Sequence, residues 1–68
     1  MAEENGYAVV VEDSAEGWHV VIQDRDGTAV SYRACRDALE ARIYASTVRQ
    51  HIYWLSEPKF REYYQLDD

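Results

Sequence analysis

The chain has 68 residues, with thirteen Asp and Glu against seven Lys and Arg and a formal net charge of −6. A chain this short holds one domain, residues 1–68, and buries only about 60% of its unfolded surface, which excludes an enzyme with separate cofactor and substrate domains. The acid excess also argues against direct, sequence-independent nucleic-acid binding, which needs clustered Lys and Arg.

Tyr7–Glu12 is short and β-branched and reads as a first strand. Asp13-Ser14-Ala15-Glu16-Gly17 is a turn cluster, followed by a second strand, Trp18–Gln23. Period-2 alternation sets Trp18, Val20 and Ile22 on one face and His19, Val21 and Gln23 on the other. Asp24-Arg25-Asp26-Gly27 is the second turn, and Thr28–Arg33 the third strand. Short turns between three strands make an antiparallel meander. The face opposite Trp18 then carries Ala8, Val10, His19, Val21, Ala29 and Ser31.

A long helix is expected from about Ala34 to Leu55, a stretch without Gly or Pro. Ala38, Ala41, Ala45, Val48, Ile52 and Leu55 form one stripe at helical period, small at its start and larger at its end. A second apolar sector, Leu39, Ile43 and Trp54, falls away from that stripe. It needs cover from the C-terminal helix, a second subunit or a foreign partner; the C-terminal helix is expected to fold back over part of it, leaving Leu39 and Ile43, about two turns or more from Leu55, to a partner. Pro58 ends the long helix and opens a short one, Pro58–Gln65. The expected fold is α+β: a three-stranded antiparallel β-meander packed on one long α-helix, plus a short C-terminal helix.

Hydrophobic residues make up 47% of the chain and charged residues 29%, the balance of a folded domain rather than a disordered one. Six Tyr and two Trp are too many to bury fully in so small a body, so some line a surface. The single cysteine, Cys35, permits no intramolecular disulfide. The start, Met1-Ala-Glu-Glu-Asn, lacks the basic and apolar regions of a signal peptide. The longest apolar run, Tyr7–Val11, is far short of a membrane span. These features lead to the expectation of a cytoplasmic protein with no membrane contact. With nothing to staple so small a core, a homodimer is expected to add burial.

Charge is polarised along the chain. Residues 1–34 carry seven acids and two bases, net −5; residues 35–61 are net +2; residues 62–68 are net −3. In a meander the two turns lie at opposite ends, so Glu12, Asp13 and Glu16 mark one pole and Asp24 and Asp26 the other, near Glu3 and Glu4. Two readings stay open for these acids. They are solvated turn residues that keep the protein soluble, or they imitate DNA phosphates for a basic partner, which requires several carboxylates spread over a surface.

No motif names a chemistry. Asp24-Arg25-Asp26-Gly27 opens like a calcium loop, but its glycine follows the second Asp directly and Arg33 stands where the closing Glu belongs. His19 and His51 lie in different elements, and with one Cys there is no zinc set. No serine has a nucleophile context. Cys35 reads as a small filler at the strand-to-helix corner. No catalytic residue, metal or cofactor is assigned.

The unit WHVVIQDRDGTAVSYRACRDALEARI within Trp18–Leu55 resembles small strand-strand-helix modules, including those of HicB-type antitoxins. In its short length, acid excess and Tyr-rich composition the chain is similar to phage-encoded anti-CRISPR proteins, some of which imitate DNA. That resemblance is one of class and gives no residue a role. The net −5 of residues 1–34 and the absence of a catalytic set lead to the expectation of a non-enzymatic inhibitor that occupies the basic DNA- or RNA-binding surface of a nucleic-acid-binding protein or complex. Glu12, Asp13, Glu16, Asp24 and Asp26 would be the bait carboxylates, with Tyr7, Tyr32 and Tyr44 adding contact area. The alternative is an antitoxin-like or housekeeping interaction module binding through Leu39, Ile43 and Trp54.

Overall fold

A computed structural model describes residues 5–66. Strands β1 (Ala8–Ser14), β2 (Gly17–Gln23) and β3 (Ala29–Cys35) precede helices α1 (Ala38–Trp54) and α2 (Glu57–Tyr64). The strands form an antiparallel sheet in the order β1-β2-β3. With α1 packed on the sheet and the short α2 after it, the fold is the expected α+β.

Alternation assigns the two sheet faces. Val9, Val11, Trp18, Val20 and Ile22 meet α1. The other face carries the row Val10, Val21 and Tyr32, which sit opposite one another across the three strands. Val21 is only 1% exposed there, although no described element covers that face. Its neighbours across and along the strands, Val10, Tyr32, His19 and Gln23, wall it in. A bulge in β3 breaks the alternation: Ser31 pairs with Ile22 and Ala29 with Gln23, leaving Val30 as the extra residue. Val30 turns into the core. Ser31 therefore lies in the row of Ile22, on the helix side, and not with Val21 and Ala29 as strict alternation implied.

The long helix starts later than its unbroken sequence suggested. Ala34 and Cys35 still pair with His19 and Trp18 in the sheet. Asp37 is the N-cap, its carboxylate accepting from the Glu40 N–H at 2.9 Å. Glu40 reaches back to accept from the Arg36 N–H at 2.6 Å. Together they satisfy two otherwise unpaired donors, in the manner of a capping box shifted by one residue.

The stripe of α1 packs as its size gradient requires. Ala41 and Ala45 lie against Val20 and bring the helix close to the sheet. Val48 and Ile52 meet Ile22, Tyr7, Phe60 and Leu66 at the wider end. Phe60 is fully buried and stacks on Tyr7 with centroids 4.8 Å apart. After α2, Gln65 adopts a left-handed conformation (φ 56°), and the Leu66 N–H donates to the Arg61 carbonyl at 2.8 Å. This reversal returns Leu66 to the core. Buried Asn5 ties the chain start to the same end. Its side-chain amide donates to the Leu55 carbonyl and its oxygen accepts from the Tyr7 N–H.

Two adjacent helix positions test this packing. Ala45→Leu should cost about 1–3 kcal/mol in chemical denaturation, because the helix cannot approach the sheet over a larger side chain. Ser46→Leu, on the exposed side of the same turn, should change stability by less than about 0.5 kcal/mol.

Candidate functional site

Because α1 buries one side against the sheet, its opposite side faces outward. At 100° per residue Leu39, Ile43, Gln50 and Trp54 share that side, a stripe about 22 Å long. Leu39 is 65% exposed, Ile43 60% and Trp54 73%. The C-terminal helix was expected to cover part of this sector and covers none of these three residues. Its buried side chain, Phe60, goes to the end of the core instead. Tyr53 is a further exposed aromatic that the sequence pattern did not single out, and Tyr63 is exposed although its spacing sets it on one face of the short helix with Phe60 and Tyr64.

The acids divide unequally between the two ends. Glu12, Asp13 and Glu16 are exposed at the β1–β2 hairpin, and among the described residues none of them makes an ion pair. The Arg36–Glu40 pair lies separately, at the start of α1. At the opposite end Asp24 serves the turn itself. Its Oδ1 accepts from the N–H groups of Asp26 and Thr28 at 2.9 and 3.0 Å. Gly27 supplies the positive φ (86°) that completes this turn. Asp26 is exposed, but Arg25 and Arg61 line the same depression as Asp24, Asp26 and Glu57. The second end is therefore of mixed charge and not a second acidic pole. Glu3 and Glu4 lie outside the described residues.

The three tyrosines also separate. Tyr32 is 66% exposed and stands edge-on to His19, with ring centroids 6.2 Å apart. Tyr7 is 6% exposed, stacked on Phe60, and its hydroxyl accepts from Arg61 at 2.9 Å. It is a core residue and offers no contact area, because the chain enters the fold just before β1 rather than beginning that strand. Tyr44 is half-buried against both parts of the core, and its ring carries the Arg33 guanidinium at 4.6 Å. Its face is therefore already engaged.

His51 and Tyr64 share a 2.6 Å hydrogen bond whose direction follows the histidine tautomer. Burial pushes the Tyr64 phenol up to about 12, and Tyr44 and Tyr63 add to the rise. Cys35 packs beside Trp18 and Val20, as the filler reading expected. Among the described residues, no group of three or more His, Cys, Asp or Glu is placed to hold a metal ion. Among the described residues, no helix is long and apolar enough to cross a membrane.

One feature escaped the sequence reading. A cleft of about 460 Å³ runs between β1 and α1, lined by Val11, Trp18, Ala38, Arg42, Ala45 and Arg49. The helix residues recur with spacing 4-3-4, the signal of one flank, which the larger apolar stripes obscured.

No family model, curated protein or solved structure matches the chain.

Two measurements follow from these contacts. The raised Tyr64 value makes its neutral form the one the fold favours. Its contribution to stability is full below pH 10, the ordinary tyrosine value, and is lost as pH rises toward 12. Alkaline unfolding of Tyr64→Phe should lack that loss, with a cost of about 1 kcal/mol at neutral pH for the hydrogen bond. Asp24→Ala should cost about 1–2 kcal/mol by removing an acceptor shared by two turn amides, whereas Asp26→Ala should be nearly neutral.

Proposed function

We propose that this protein is a non-enzymatic binding inhibitor that presents Glu12, Asp13 and Glu16 to the basic surface of a nucleic-acid-binding protein or complex, competing there with DNA or RNA in the manner of an anti-CRISPR protein. One observation carries the reading: three exposed carboxylates cluster at one hairpin end with no ion pair among the described residues. Charges left unneutralised at a rigid turn attract a cationic surface over roughly a Debye length, about 8 Å at physiological salt. Strands β1 and β2 hold the cluster in place, since their register continues to the pair Ser14 and Gly17 beside the turn. Asp26 is a peripheral contributor, and Asp24 is reserved for its turn.

A second reading rests on the outer side of α1. Leu39, Ile43 and Trp54 leave large apolar side chains in water on a single helix, the usual sign of a protein interface. On that reading the protein is an interaction module whose affinity depends little on salt.

Capture experiments separate the two. The tagged protein is used as bait in a lysate of its native host, and retained proteins are eluted with duplex DNA and, separately, with salt. The first reading predicts a nucleic-acid-binding protein that both treatments release. The triple variant E12Q/D13N/E16Q should then lose at least about tenfold in affinity, while Ile43→Asp retains capture. Undiminished capture by the triple variant contradicts it, and loss with Ile43→Asp alone supports the second.

A further inference from the structure

We infer that the free edge of β1 pairs with β1 of a second copy of this chain, joining two three-stranded sheets into one continuous antiparallel sheet. β1 pairs only with β2, and its seven residues leave an edge about 23 Å long. Such an edge is a template for a further strand unless something blunts it. β1 has no proline and no register shift against β2. The other edge is broken by the bulge at Val30 in β3.

The charge along β1 is divided. Val9, Val10 and Val11 fill its first half, Glu12 and Asp13 its second. Val9 and Val11 face α1, and alternation puts Asp13 in the same row, paired across the hairpin with Trp18. Arg49 of α1 lies toward the valine end, where it lines one depression with Ala8 and Val9 and another with Val11. Arg42 lies toward the other end, with Val11 and Trp18. Both arginines are exposed and make no ion pair among the described residues.

This pattern selects the occupant. A uniformly acidic strand would satisfy Arg49 but bring its carboxylates against Glu12 and Asp13. A basic strand would suit those acids but meet Arg42 and Arg49. The edge calls for an antiparallel strand that is acidic where it passes Arg49 and uncharged where it passes Glu12 and Asp13. β1 is that strand. The register that pairs all seven residues centres on Val11. It sets Val9 opposite Asp13 of the second copy, Val10 opposite Glu12 and Ala8 opposite Ser14, so no acid faces an acid. The second copy's Asp13 enters the helix-side row beside Val9, at a cross-strand spacing of about 5 Å, and comes within reach of Arg49. The two-fold axis repeats the contact on the other side. Val9, Val10 and Val11, half-buried in one copy, lose further exposure, which matters in a chain too short to bury a large core alone. Glu12 points to the other sheet face and Glu16 lies in the turn beyond the strand. Only Asp13 is shared with the acidic hairpin end, and the pairing does not rest on that end's proposed role.

Sedimentation equilibrium over a concentration series, with no other protein present, tests the pairing. The wild type should behave as a reversible dimer. D13R sets like charges in both contacts of its own dimer, and so does R49D; each should weaken dimerisation at least about tenfold. An equimolar mixture of the two restores opposite charges at both contacts and should recover the dimer, which a fold damaged within either chain cannot do. Ile43→Asp, on the outer side of α1, should leave dimerisation unchanged. In the wild type, amide exchange within Ala8–Ser14 should slow as concentration rises through the dimerisation range. A wild type that stays monomeric at millimolar concentration, single variants that dimerise as the wild type does, a mixture no stronger than its components, or a dimer abolished by Ile43→Asp overturns the proposal.

Discussion

The alanines of α1 set how closely the helix lies against the sheet, and that distance governs the rest of the molecule. Ala41 and Ala45 let Val20 be fully buried, and Val48 and Ile52 take over where the gap widens. Tyr7, Phe60 and Leu66 close the wide end. Each of these three comes from outside the sheet and the long helix, which explains the devices holding them: the Asn5 bridge to Leu55 and the left-handed Gln65 that returns Leu66. A short chain has apolar surface enough to cover one side of one sheet with one side of one helix.

One-sided packing also decides which surfaces are available for binding. The outer side of α1, the second sheet face, the β1 edge and the hairpin end are all left over from the same contact. Charge differentiates them. The hairpin end is acidic, the outer side of α1 is apolar, and the flank of α1 beside β1 is basic. The total of −6 thus conceals three surfaces of different chemistry on one small body. Solvation alone accounts for dispersed acids. The contrast between unpaired Glu12, Asp13 and Glu16 and the turn-bound Asp24 gives the hairpin end its stronger claim to a partner.

Much of the fold was legible in the chain. The meander, the α1 stripe and the break at Pro58 follow from period and turn chemistry alone. The departures have local causes. Ala34 and Cys35 look helical in an unbroken run, yet their pairing with His19 and Trp18 outweighs propensity, and Asp37 with Glu40 marks the true start. The bulge at Val30 has no glycine or other signature in the sequence, so Ser31 was placed on the wrong face. The sites were less legible because exposure is a tertiary property. Nothing local distinguishes buried Tyr7 from exposed Tyr32, or the bonded carboxylate of Asp24 from that of Asp26. The cleft beside β1, with Arg42 and Arg49 on its helix wall, required knowing how α1 crosses the sheet.

The central claim is that the acidic hairpin end is the contact surface. The most direct measurement is an amide chemical-shift map of isotope-labelled protein titrated with the partner isolated by capture. The account predicts shifts and broadening concentrated at Glu12–Gly17, fading as salt is raised, with Leu39–Trp54 largely unmoved. Perturbation confined to Leu39, Ile43, Trp54 and their neighbours, with the hairpin amides unchanged at every salt concentration, would contradict it.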